Sequence, residues 1–136
     1  MLYSTTQKGV IYLKRNAIQE LIKWKSSEER KPLVMRGARQ VGKTWLMKEF
    51  GQNYYESYVY FNFDEEDELK SIFEANKNPH RIIELLSMIA GLKILPEKTL
   101  ILFDEIFLRG KFLDRRFPLS ETNFKTLIFG RFFFAF

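Results

Sequence analysis

Gly37-Ala38-Arg39-Gln40-Val41-Gly42-Lys43-Thr44 satisfies the pattern G-x-x-x-x-G-K-[ST] in full. The apolar run Pro32-Leu33-Val34-Met35 leads into it, and the helix-compatible Trp45-Leu46-Met47-Lys48-Glu49-Phe50 follows. Strand, loop, then helix is the setting in which such a loop cradles phosphates. Its glycines let the backbone curl so that successive N–H groups point inward, and the helix N-terminus adds partial positive charge. Lys43 brings a full charge to the β- and γ-phosphates, and the Thr44 hydroxyl is spaced to ligate Mg²⁺. The loop residues Gly37, Ala38, Arg39, Gln40, Val41, Gly42, Lys43 and Thr44, with Trp45 beside them, are the expected nucleotide contacts. Arg39 and Gln40 either reach acidic groups or a partner subunit, or only let the backbone turn. Trp24 and Trp45 pack either in the core or over the nucleotide pocket.

A second stretch agrees with the first. Thr99-Leu100-Ile101-Leu102-Phe103-Asp104-Glu105 is a continuous apolar run ending in two carboxylates. A buried parallel strand has that composition, and ligands in open α/β sheets bind beyond the strands' C-terminal ends. Asp104 is thereby expected beside the Mg²⁺ held by Thr44, and Glu105 beside an attacking water. Taken alone, the stretch reads equally well as a core strand entering an acidic turn. After a complete phosphate loop the site reading prevails.

The rest of the chain supports an α/β fold: a parallel sheet flanked by helices, built from alternating elements. Val10-Ile11-Tyr12-Leu13 reads as a short strand, and Asn16 as the N-cap of a helix through Lys25 carrying Ile18, Leu21 and Ile22 on one face. The helix after the loop is expected to stop at Gly51. Tyr58 to Phe63 is the next strand, and the acidic cluster Asp64 to Glu68 opens a helix. Asn78-Pro79 starts another, with Ile82, Leu85, Leu86 and Ile89 inward and Gly91 at its end. His80, alone in that first turn, reads as a surface residue. We divide the chain into a lead-in (1–30), a core with both motifs (31–106) and a Phe-rich tail (107–136). Nine of the 14 phenylalanines lie in that tail, and its close alternates cleanly with neither period. A strand around Thr126 to Phe129 fits there.

Composition narrows the class. The chain has 136 residues, 46% of them hydrophobic, enough for one domain with a core. It has no cysteine and so no disulfide framework or thiolate metal site. Neither a signal-like leader nor a long uncharged apolar run is present, so a cytoplasmic protein without membrane contact is expected. The net charge of +5 permits nucleic-acid binding without arguing for it, since the basic residues are dispersed and no nucleic-acid-binding pattern occurs.

With Tyr12-Leu13-Lys14-Arg15, Lys31-Pro32-Leu33, the GARQVGKT loop, Val59-Tyr60-Phe61-Asn62-Phe63 and Leu100 through Ile106 in view, the chain resembles the bacterial and archaeal AAA-type ATPases that share that loop. The resemblance runs over residues 8–106. It implies an AAA+-like core binding ATP and Mg²⁺, with Lys43 and Thr44 on phosphate and metal, Asp104 as metal partner and Glu105 as catalytic base. Self-association, or association with full-length relatives, is the implied partnership. Where the family has glutamine after Asp-Glu-Ile, this chain has Phe107, and the resemblance stops. That break and the biased tail predict a truncated or frameshifted copy, incomplete on its C-terminal side. The family's sensor residue and γ-phosphate arginines find no counterpart among Asn123, Arg109, Arg115, Arg116 and Arg131. Loss of such an arginine costs on the order of 10³ in rate. A slow ATPase is therefore one expectation, and a nucleotide-binding remnant without turnover, or an inactive fragment, is the other.

Overall fold

The computed structural model describes residues 7–28, 33–35, 42–109 and 126–133. In chain order the elements are α1 (Gln7–Ser26), β1 (Leu33–Met35), α2 (Lys43–Tyr54), β2 (Ser57–Asn62), α3 (Asp67–Ala75), α4 (Pro79–Ala90), β3 (Thr99–Arg109) and β4 (Thr126–Phe133). The four strands form one sheet in the order β1-β4-β3-β2, and every neighbouring pair is parallel. The expected α/β architecture is present, with helices over both faces of the sheet.

Side-chain alternation along β2 and β3 sorts the core into two layers. Val59, Phe61, Ile101 and Phe103 face one way and pack with Leu69 of α3 and Ile82, Ile83 and Leu86 of α4. Leu100 and Leu102 face the other way, against Leu21 and Trp24 of α1 and Met47 and Phe50 of α2. Phe103 is fully buried and meets Phe61, Phe63 and Phe73 at centroid separations of 5.8, 5.5 and 5.6 Å. Rings at those distances add specific attraction to their area burial.

The caps follow local chemistry. Asn78 Oδ1 accepts from the His80 backbone N–H at 3.0 Å, and Pro79 follows as the first helical residue of α4. Gly91 ends α4 in the left-handed region (φ 64°), where its own N–H reaches Met88 O and the Leu92 N–H reaches Ser87 O. His80 is exposed, as its solitary position in the sequence implied.

Three expectations are corrected. Val10 to Leu13 lies within α1, which begins at Gln7, so Asn16 is an interior helical residue. A four-residue apolar run cannot separate strand from helix. Here Val10, Leu13, Ala17, Leu21 and Trp24 recur at helical spacing and carry one helix through. Gly51 does not stop α2, which continues to Tyr54. Its role is close approach: a Cβ there would lie 2.7 Å from the Tyr58 Cβ, so only glycine lets α2 sit down on β2. On α4, Ile83 is buried while Ile89 is on the exposed side and Leu85 only half-buried. β3 runs on to Arg109, and β4 extends past the expected Thr126 to Phe129 as far as Phe133.

Candidate nucleotide site

The first turn of α2 and the end of the hydrophobic part of β3 converge at one place. Thr44 Oγ1 donates to Asp104 Oδ2 at 2.9 Å, across 60 positions of sequence. The alternation that sends Leu100 and Leu102 toward α2 sends Asp104 the same way, two residues on. The same Asp104 oxygen accepts the Tyr60 hydroxyl at 2.6 Å, the length of a charge-assisted hydrogen bond. Asp104 Oδ1 accepts the Glu105 backbone N–H at 2.9 Å. Both carboxylate oxygens are therefore held.

Tyr60 comes from β2 and is itself held on its far side. The Lys48 ammonium of α2 lies 4.1 Å from the centre of its ring. Burial first, then the hydrogen bond to Asp104 and the nearby charges of Asp104 and Glu65, pushes the Tyr60 phenol well above its usual value. The group is a hydrogen-bond donor across the whole neutral range.

The sheet changes character at Glu105. The β3–β4 register shifts between Phe103 and Ile106, and Glu105 adopts φ 52°. A bulge of this kind bends a strand and re-aims the side chains around it. Non-glycine residues adopt positive φ at a cost and cluster at functional sites. Glu105 is half-buried, with its Oε2 atom out of solvent. The adjoining loop after β2 is tied off locally: Asn62 Oδ1 accepts from the Asp64 N–H at 3.0 Å, and Asn62 O from the Glu65 and Glu66 N–H groups.

On the loop side, Gly42 sits in the left-handed region at φ 79°, immediately before α2, and its carbonyl accepts the Leu46 N–H at 2.9 Å. Among the described residues no side chain caps α2 at its N-terminus, and no carboxylate lies in its first turn. The first amides of the helix are thus left without intrahelical partners, the arrangement that favours an anion. Gly37, Ala38, Arg39, Gln40 and Val41 lie outside the described residues. Lys43 opens α2 as its first residue. The two tryptophans separate: Trp24 is buried at 8% exposure, whereas Trp45, at 55%, stands open beside Thr44.

Of the expected site residues, then, Thr44 and Asp104 are in contact and Gly42, Lys43, Trp45 and Glu105 flank them. Sequence reading missed Tyr60 and Lys48. The sequence signal for Tyr60 is its parity alone: it shares the strand positions that face α2, while the carboxylate it meets lies 44 positions away. Among the described residues no cluster of three or more metal-binding side chains occurs. Mg²⁺ does not require one, since it keeps waters and takes one or two protein oxygens plus substrate phosphates. The hard oxygen pair Thr44 and Asp104 fits that ion.

A parallel sheet between helix layers, a left-handed glycine opening a helix, and a hydroxyl and carboxylate meeting at the strand ends define a P-loop nucleotide-binding fold. The family comparison agrees: the model of the family described as AAA domain matches residues 29–114, more than half of the chain. The chain belongs to that AAA-domain family and is an ATP-binding protein of AAA type. The match contains both motifs and extends beyond Phe107, where the resemblance was expected to stop. No curated protein and no solved structure matches the chain. No helix among the described residues is long and apolar enough to cross a membrane.

Proposed function

We propose that the chain binds ATP with Mg²⁺ and hydrolyses it. The observation that carries this reading is the 2.9 Å hydrogen bond between Thr44 and Asp104, which joins the two motifs in one site. Lys43 holds the β- and γ-phosphates, while the Gly37–Thr44 loop and the open amides at the start of α2 wrap them. The Thr44 hydroxyl turns its oxygen toward the metal and keeps its proton on Asp104. Glu105 takes a proton from the attacking water. Mg²⁺ held beside Thr44 and Asp104 would supply neutralising charge to the transferred phosphoryl group. Most of the catalysis is therefore positioning and electrostatics.

Calorimetric titration of the purified chain with Mg·ATP, beside Lys43→Ala, tests the binding half. Saturable heat that the variant loses is expected, and no heat from a folded wild-type preparation would refute it. Phosphate release compared between wild type and Glu105→Gln tests the catalytic half. Release at the uncatalysed background in both proteins would leave a binding protein without turnover, and equal rates above it would remove Glu105 from the role of base.

A further inference from the structure

The AAA-type reading gives Asp104 a role but leaves unexplained why its carboxylate is gripped from β2 as well as from α2. Oδ2 receives two hydroxyls, Thr44 at 2.9 Å and Tyr60 at 2.6 Å, and the shorter bond is the one from Tyr60. The Thr44 hydroxyl holds the carboxylate from the helix side, where its own oxygen serves the metal, and the Tyr60 phenol fixes its rotation from the sheet side. A simple packing role would not need the hydroxyl. Nor would it need the Lys48 ammonium over the ring, 4.1 Å from its centre. Mg²⁺ tolerates little departure from octahedral geometry, so the orientation of its carboxylate partner bears directly on affinity. Groups that orient a metal's partners in this way change metal affinity by about 10–100-fold when removed.

We propose that Tyr60 is a positioning residue for the Mg²⁺ of the bound nucleotide, with Lys48 over its ring holding Asp104 in the orientation the metal requires. The proposal rests on the nucleotide-binding reading above. Tyr60 touches neither nucleotide nor metal and acts through Asp104. Its effect is accordingly confined to the metal-dependent part of binding, and Lys48 acts one step further away with a smaller effect.

The test is a Mg²⁺ titration of ATP binding in wild type, Tyr60→Phe, Lys48→Met, Asp104→Asn and the Tyr60→Phe/Asp104→Asn double variant. ATP affinity in EDTA and thermal unfolding without nucleotide are measured alongside. Tyr60→Phe is expected to raise the half-saturating Mg²⁺ about tenfold. Its EDTA affinity and unfolding temperature should match wild type, because the ring is retained. Lys48→Met should shift the same value in the same direction by less. The double variant should be no worse than Asp104→Asn alone, as expected for residues acting through one another. An unchanged Mg²⁺ requirement in Tyr60→Phe, or equal losses with and without Mg²⁺, overturns the proposal while leaving ATP binding intact. If Tyr60→Phe does not fold, an unchanged Mg²⁺ requirement in Lys48→Met overturns it. Absence of ATP binding in folded wild type overturns the nucleotide reading and this inference together.

Discussion

The two faces of the sheet are built from the same strands yet do different work. The face under α3 and α4 is closed: its buried cluster is entirely apolar, from Val59 through Phe103, with Phe63 and Phe73 stacked around it. The face under α1 and α2 is apolar only toward the N-terminal ends of the strands. At their C-terminal ends Tyr60, Asp104 and Thr44 take over. A single alternation along β3 separates Ile101 and Phe103 from Leu102 and Asp104, so one strand both anchors the core and presents the carboxylate. Rigidity on the closed face is what lets the polar end of the other face hold its geometry.

That division can be broken most forcefully from the closed side. Phe103→Ala removes a fully buried ring with three aromatic neighbours and should cost about 3–5 kcal/mol, read from urea denaturation. If the cost is below 1 kcal/mol, on the order of a surface change, the closed face does not anchor the fold. On the α2 face, Gly51→Ala drives a methyl to 2.7 Å from the Tyr58 Cβ and should cost about 1–3 kcal/mol. Tyr58 cannot yield easily, since the near atom is its own Cβ. Asn78→Ala, at the head of α4, removes a cap and should cost about 1 kcal/mol without touching Mg·ATP binding.

The smallest effect is one of pH. Tyr55, by burial, and Tyr60, by burial and Asp104, keep their phenols protonated well above the usual value near 10. The unfolded chain ionises these groups first, so stability is full below about pH 10 and falls as pH rises toward the folded values. Tyr55→Phe and Tyr60→Phe should each flatten that alkaline fall. Both residues lie on the α1/α2 side, so a fall that persists unchanged in the double variant would mean the two faces do not differ in this respect.

The sequence made the site legible where chemistry demands fixed residue types at fixed spacing. GARQVGKT and the Asp104-Glu105 strand end stand out by pattern alone, and Thr44 and Asp104, one from each, lie in hydrogen-bond contact. It was less legible where one local pattern serves two structures. Val10 to Leu13 looked extended because four residues carry too little periodicity, and only Leu21 and Trp24 downstream reveal the helix. Gly51 looked like a stop because the reason for it, the backbone of β2 pressed against α2, lies outside its own neighbourhood in sequence. Tyr60 was read only as a strand residue, since nothing local indicates which carboxylate its hydroxyl will meet. The order of the strands was the least accessible of all. That β4 lies between β1 and β3 depends on pairings such as Leu33 with Leu127 and Phe103 with Ile128, which no local motif encodes.

The insertion of β4 also bears on how the protein is made. β1 and β3 never pair with each other; β4 bridges them, and it is translated after both. At roughly 5–20 residues per second, β1 and its glycine loop leave the ribosome several seconds before the strand that locks them into the sheet. Through that interval α2 can pack on β2 and β3, which is enough to bring Thr44 to Asp104, while β1 has no neighbour in the sheet. An unpaired β1 edge during that wait is an invitation to a wrong neighbour, and a chaperone that shields it would raise the yield of folded protein.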